Sequence, residues 1–350
     1  MNRLNIAVLF GGHSPEYSVS LQSAHSVLSH MDEERFRPFM IGITKDGNWF
    51  HFTGDPDKIP ADTWHNPTDC VPAVISPSRD THGMLILRPS GVETVRVDVA
   101  FPVLHGKFGE DGTLQGLLEM AGIPIVGCKT LSSALCMDKD RANLLTELAG
   151  VSVPRTVVLN KGVDDETALK EVERIGFPVF VKPVKAGSSY GVTSVTDKKD
   201  LPDAIHTAFK YDNRVMAQQT IVGIEVGCAV LGNERLIVGA VDEVELTDGF
   251  FDFTEKYTHK SSAIHVPARI SESKAAEVQA AAKTIYTALD CSGMARVDVF
   301  LTPSGEIVFN EVNTIPGFTA MSRYPGMMDA AGIPFAELVT RLIELALECE

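Results

Sequence analysis

"RVDVFLTPSGEIVFNEVN", Arg296 to Asn313, reads as two apolar-rich strands around a turn. Thr302-Pro303-Ser304-Gly305 supply the turn chemistry. With a loop of even length, even positions of the first strand share a face with odd positions of the second. Arg296, Asp298, Glu311 and Asn313 then fall on one face, and a loop of odd length would break the match. Carboxylates opposite one another repel, and burial sharpens the repulsion. A divalent cation on oxygen ligands resolves that conflict, and donors without His or Cys favour Mg²⁺. An exposed polar face is the alternative.

The rest of the chain must supply what such a cation would meet. Its 350 residues suffice for two or three domains, and 44% apolar with 22% charged residues is ordinary globular composition. A formal charge of −15 without a basic block excludes a non-specific nucleic-acid binder. The six cysteines are scattered, with no Cys-x-x-Cys, so structural zinc is not expected. They read as buried free thiols of a reducing cytoplasm. The opening apolar run, Ile6–Phe10, is too short for a signal peptide, and no stretch nears 18 apolar residues. A soluble cytoplasmic protein is expected, with no membrane partner.

Ile6–Phe10 reads as a strand buried on both faces, stopped by Gly11-Gly12. Ser14-Pro15-Glu16 reads as a helix start, with Ser14 as cap and an acid near the positive helix end. With "FMIGIT", "VDVAFPVLHG" and "GIPIVGC" as further strands, a parallel, Rossmann-like sheet is expected over residues 1–130. A small α+β unit follows over 131–222, and a second one over 223–350 holds the opening hairpin. The stretch 249–268, without periodicity, is long enough for a functional lid.

"VKPVKAGSSYGV" sets Lys182 at a strand end before Gly187-Ser188-Ser189-Tyr190-Gly191. That suits a phosphate cradle of backbone N–H groups, with Lys139 and Lys182 neutralising charge. It equally suits an ordinary hairpin turn. "HGKFGEDGTLQG", His105 to Gly116, is less ordinary: four glycines, one histidine and two acids lead from a strand into a helix N-terminus.

These stretches together identify the chain as resembling the D-alanine–D-alanine ligase family of ATP-grasp enzymes from end to end. "HGKFGEDGTLQG" is similar to the family's first signature, and "GMARVDVFL" through "FNEVNTIPGFT" to its second. "MDKDR", "VKPVKAGSS" and "TEKY" match in order and separation. The resemblance implies an ATP-grasp fold, α/β and α+β, with a Rossmann-like N-terminal domain. It implies ATP and Mg²⁺, replaceable by Mn²⁺, and a homodimer.

Carried over by residue, the resemblance gives Glu16 the ammonium of the first D-alanine, and sets His105 near that substrate. Lys139, Lys182 and the Ser188-Ser189 loop would take the ATP phosphates, Gln218 the adenine and Glu225 the ribose. Asp298, Glu311 and Asn313 would be the metal ligands, with Arg296 and the Gly317 N–H facing the tetrahedral intermediate. Ser188 and Tyr257 would latch the lid to Glu16. The implied reaction activates D-alanine as an acyl phosphate, which the acceptor's amine then attacks. Gln218-Gln219 departs from the acid common at the adenine hinge, and "FTAM" from the commoner residues after Gly317.

Acceptor choice turns on Lys256-Tyr257 and on Ser322-Arg323. Lys-Tyr argues for an amine acceptor rather than D-lactate, and Arg323 for a hydroxyl-bearing one. The combination resembles the VanG type of D-alanine–D-serine ligase. Arg323 as a structural ion pair, with D-alanine as acceptor, is the alternative. A different ATP-grasp carboxylate–amine ligase and a non-catalytic nucleotide-binding protein are the rival classes; the complete first signature opposes one, and the intact metal ligands oppose the other.

Overall fold

The computed structural model describes residues 3–187, 189–246 and 262–348. Three sheets organise them. The first has seven strands in the order β6-β5-β4-β3-β2-β1-β7. Strand β1 (Leu4–Gly11) lies one in from the edge, and Ile6 to Phe10 are fully buried, as a continuous apolar run requires. Helix α1 (Tyr17–Ser29) crosses over to the parallel neighbour β2 (Phe36–Ile43), and β7 (Val99–Pro102) lies parallel on the other side.

Parallel pairing ends there, which corrects the expectation of a parallel sheet throughout. Strands β3 (Trp49–Phe52), β4 (Cys70–Ile75), β5 (Gly83–Arg88) and β6 (Gly91–Arg96) are added antiparallel. The β2–β3, β4–β5 and β5–β6 connections are too short for a crossover helix, so these strands can only pair as hairpins. "GIPIVGC" is no strand either. Ala100 N–H bonds Pro124 C=O and Val126 N–H bonds Ala100 C=O, but Pro124 lacks a donor and Gly127 turns away at φ +99°. Helix α1 also starts later than expected, at Tyr17, and Ser14 instead accepts the Glu16 N–H.

Helix α2 (Thr113–Ala121) runs between left-handed glycines, Gly112 and Gly122, so the glycine-rich signature is the loop from β7 into its N-terminus. Helices α3 (Thr130–Met137) and α4 (Lys139–Leu148) meet at Asp138, whose carboxylate caps the second by accepting the Arg141 N–H.

The second sheet is antiparallel, in the order β10-β9-β11-β8. Its strands are β8 (Thr156–Asn160), β9 (Val179–Pro183), β10 (Thr193–Val195) and β11 (Arg214–Gln219), packed against helices α5 (Asp165–Glu173) and α6 (Leu201–Ala208). The third sheet, also antiparallel, orders β14 (Ser262–His265), β13 (Ile237–Leu246), β12 (Ile224–Leu231), β15 (Met294–Leu301) and β16 (Ile307–Asn313). Helix α7 (Glu272–Ala288) covers one face. Helices α8 (Arg323–Ala330) and α9 (Phe335–Leu347) join the other face to the first sheet in one core.

The opening hairpin keeps its shared face for a reason other than the one expected. The connection from Leu301 to Ile307 is odd, so the register near it pairs Phe300 with Val308 and Val299 with Phe309. A bulge at Asn310 then shifts the strand by one residue, pairing Asp298 with Glu311 and Arg296 with Asn313. Without that extra residue Glu311 and Asn313 would turn to the opposite face.

Candidate active site

A cavity of about 850 Å³ opens where the α1 start, the glycine-rich signature, the α4 start and the end of β16 converge. Glu16, His105, Lys139, Arg296, Glu311 and Asn313 all line it. Glu16 sits under the signature turn: Gly106 has φ +74°, and a Cβ there would lie 2.2 Å from Glu16 Oε2. A Cβ on Gly187 would lie 3.4 Å from the same oxygen, so the glycine-rich loop reaches the first-substrate wall. The approach at Gly106 requires glycine, both for space and for its positive φ.

His105 is buried. Its Nδ1–H donates to Ile315 C=O at 2.9 Å, and Nε2 lies 3.4 Å from Ser23 Oγ. Ser23 Oγ itself accepts the Phe318 N–H at 3.2 Å, which leaves its own proton for Nε2. Burial holds the ring below the usual histidine range, and the nearby Glu16 charge only partly offsets it. The neutral ring is the form this chain of bonds needs.

On the third sheet, Arg296 grips Asp298 in a fork, with Nε 2.9 Å from Oδ1 and Nη2 2.8 Å from Oδ2. Asn313 Nδ2–H donates to Asp298 Oδ2 at 2.9 Å, which leaves its own Oδ1 as an acceptor. Lys139, at the start of α4, donates to Ala186 C=O at 2.7 Å and lies 3.6 Å from Glu311 Oε2. Glu311 and Asn313 line the cavity, with Asp298 buried behind them. An all-oxygen set of two carboxylates and an amide fits a hard divalent cation that also binds phosphate.

Arg323 is not the free donor expected. Its Nε and Nη2 bond the Asp242 carboxylate at 2.7 and 2.8 Å, and Nη1 bonds Glu225 Oε1 at 3.2 Å. Nη2 also lies 3.3 Å from Asp298 Oδ1. Asp242 is fully buried and accepts the Gly227 N–H at 2.8 Å. A Cβ on Gly227 would lie 2.5 Å from Arg323 Nη2, so that glycine makes room for the pair. Burial alone would raise the Asp242 carboxyl, but Arg323 holds it below the usual range. Glu225, expected at the ribose, thus also belongs to this cluster.

Gly317 lines the cavity, and Ser322 next to it accepts the Thr319 N–H at 3.0 Å. Lys182 lies buried on β9 and Gln218 buried on β11 of the second sheet. Ser189 holds the turn after β9 at φ +59°. Ser188, Lys256, Tyr257 and most of the lid stretch lie outside the described residues. Asp242, Ser23 and Glu110 were not singled out from the sequence. Glu110, which stands in the signature, bonds the Gly106 N–H at 2.7 Å and the Ile315 N–H at 3.0 Å.

Comparisons with known proteins agree with this architecture. The family model described as D-ala D-ala ligase N-terminus matches residues 5–128, and the one described as D-ala D-ala ligase C-terminus matches residues 145–344. The chain belongs to the D-alanine–D-alanine ligase family, of ATP-grasp fold, and is an ATP-dependent ligase. It is 47% identical to a putative D-alanine–D-lactate ligase of Streptomyces coelicolor, over 99% of each chain. It is equally 47% identical to the vancomycin B-type resistance protein VanB of Enterococcus faecalis, over 99% of this chain and 100% of that one. The crystal structure of the VanG D-Ala:D-Ser ligase from Enterococcus faecalis superposes with a TM-score of 0.92 at 54% identity, covering 99% of this chain and 100% of that one. Among the described residues no helix is long and apolar enough to cross a membrane.

Proposed function

We propose that the chain joins D-alanine to D-serine, driven by ATP, to supply a dipeptide for peptidoglycan precursors in the cytoplasm. The observation that carries the acceptor is the 54% identity to a D-Ala:D-Ser ligase, beside the place of Arg323 on the cavity wall. The Arg323 guanidinium makes that stretch of wall polar, where an apolar wall would not reward a hydroxyl. The 47% identity to a putative D-alanine–D-lactate ligase supports D-lactate as the second reading, and Lys256-Tyr257 in the sequence opposes it.

In this reading Glu16 takes the ammonium of the first D-alanine, and Lys139 and Lys182 take phosphate charge. The first D-alanine's carboxylate attacks the γ-phosphorus of ATP, ADP leaves, and the acceptor amine then displaces phosphate from the acyl phosphate. Arg296 and the Gly317 N–H stabilise the oxyanion between those displacements. Mg²⁺, held by Glu311, Asn313 and Asp298, would offset charge on the transferring phosphoryl group. We assign residues 1–130 to the first substrate, 131–222 to the phosphates and 223–350 to the metal and acceptor, in a homodimer.

Product analysis tests the acceptor directly. Supplied with ATP, Mg²⁺, D-alanine and equimolar D-serine and D-lactate, the protein should yield mainly D-alanyl-D-serine. A predominance of D-alanyl-D-alanine or of the ester would overturn D-serine as acceptor.

A further inference from the structure

Residues 314–318 open the link from β16 to helix α8, and three side chains from the N-terminal part of the molecule hold them. Glu110 Oε1 accepts the Ile315 N–H at 3.0 Å, and His105 Nδ1–H donates to the Ile315 C=O at 2.9 Å. Ser23 Oγ accepts the Phe318 N–H at 3.2 Å. Ile315 is thus pinned through both of its backbone polar groups, and Phe318 through its donor. Between the anchors stand Pro316, which has no N–H and a fixed φ, and Gly317. The Gly317 N–H makes no hydrogen bond among the described residues, and Gly317 lines the cavity. From Ile315 to Phe318 it is the one backbone donor that the anchors leave for a ligand.

We propose that Glu110 is a positioning residue for the ligation: by holding Ile315 it fixes the direction in which the Gly317 N–H meets the oxyanion. The inference rests on the proposed ligase chemistry, and gives Glu110 no contact with substrate. Glu110 bridges two donors that belong to different parts of the fold, the Gly106 N–H of the signature turn and the Ile315 N–H. Each carboxylate oxygen takes one of them, so both oxygens are needed. A glutamine has one acceptor oxygen and sets an NH₂ against the second donor. An aspartate keeps the carboxyl group, but its shorter arm cannot span both. The bridge therefore carries the signature turn, which also covers Glu16, and the oxyanion loop as one unit.

The test compares Glu110→Gln with the wild type in dipeptide synthesis, ADP binding and affinity for a phosphinate analogue of the tetrahedral intermediate. A displaced oxyanion donor should lower kcat about ten- to a hundredfold. Affinity for the analogue should fall by a similar factor, since it reports transition-state contacts. ADP affinity and the KM for ATP should stay at wild-type values. Glu110→Asp should resemble Glu110→Gln, and recovery of the wild-type rate by aspartate would overturn a positional role. So would unchanged kcat and analogue affinity, or a parallel loss of ADP affinity, which would mark general structural damage. If Glu110→Gln does not fold, Ser23→Ala decides: it releases Phe318 in the same loop and should give the same split between kcat and ADP binding, and an unchanged kcat there overturns the proposal. A wild-type protein that forms no dipeptide would sink the ligase reading itself, an outcome distinct from a fully active Glu110→Gln.

Discussion

Two walls of one cavity handle buried carboxylates in opposite ways. On the third sheet, Asp242, Asp298 and Glu225 are met by the guanidinium groups of Arg296 and Arg323. On the signature side, Glu110 is met by backbone N–H groups, and the charge that acts on it most strongly is another carboxylate, Glu16. The pKa directions follow. Arg323 holds Asp242 below the usual range despite burial. Enclosure first, and the Glu16 charge second, push Glu110 up to about 8, more than its two N–H bonds and Arg296 can offset. Counter-charge makes the first wall a fixed scaffold. Neutral donors leave the second wall responsive to whatever cation arrives, and an amino acid's ammonium is such a cation.

The largest effect should come from breaking the paired wall. Arg323→Leu leaves Asp242, which is fully buried, with the Gly227 N–H as its hydrogen-bond donor, Arg296 as its remaining counter-charge and two other carboxylates nearby. Removing one partner of such a pair costs about 3–5 kcal/mol. Urea denaturation should show a midpoint lowered accordingly, and Asp242→Asn in the same chain should recover part of it. A wild-type midpoint in Arg323→Leu would mean that the pair contributes little. The substitution is therefore a poor probe of acceptor choice unless rates are normalised to folded protein, when kcat/KM for D-serine should fall more than for D-alanine.

The second wall should reveal itself through pH. A carboxyl raised from 4.5 to about 8 binds a proton in the folded state that the unfolded state has released. Its contribution is fully present below about pH 4.5 and is lost as pH rises through about 8. Wild-type stability should therefore decline between pH 5 and pH 9 more steeply than that of Glu110→Gln, whose amide does not titrate. Parallel Tm profiles for the two proteins would remove Glu110 as the responsive group.

Between the walls stands Glu311, on the cavity and 3.6 Å from Lys139. If Glu311 is a metal ligand as proposed, Glu311→Gln removes a ligand charge but no core volume, so phosphate release should drop by about two orders of magnitude with the fold kept. Wild-type turnover in the folded variant would take Glu311 out of the metal set.

What could be read in the sequence divides along the same lines. The face that gathers Arg296, Asp298, Glu311 and Asn313 follows from alternation within 18 residues, so local pattern reaches it. The bulge at Asn310 that makes it true leaves no mark, because an extra polar residue in a half-exposed strand breaks no apolar run. Strand β6, "GVETVR", escaped notice for a similar reason: it is a largely exposed edge strand with no apolar face to see. Arg323 stood out as an unusual residue, but its partner Asp242 lies 81 residues away, and only the fold joins them. Glu110 was visible as an acid in the signature; its hold on Ile315 spans 205 residues.

The smallest effect is expected where charges meet neither wall. On helix α5, Glu166 and Lys170 pair at 2.7 Å with spacing i, i+4, and their side chains are 79% and 66% exposed. The distance is as short as those in the Arg323 cluster, so contact geometry alone would rank the two alike. Solvent decides otherwise. Water screens the exposed pair and solvates either partner when the other is gone, and holding two long side chains in one geometry costs entropy. The orientation, glutamate N-terminal to lysine, also suits the helix dipole, which gives Glu166 some support without its partner. Lys170→Ala should therefore shift Tm by only about 1 °C, and 0.5 M salt should erase the difference. A shift as large as that of Arg323→Leu would mean that pair distance, and not burial, sets the worth of an ion pair in this protein.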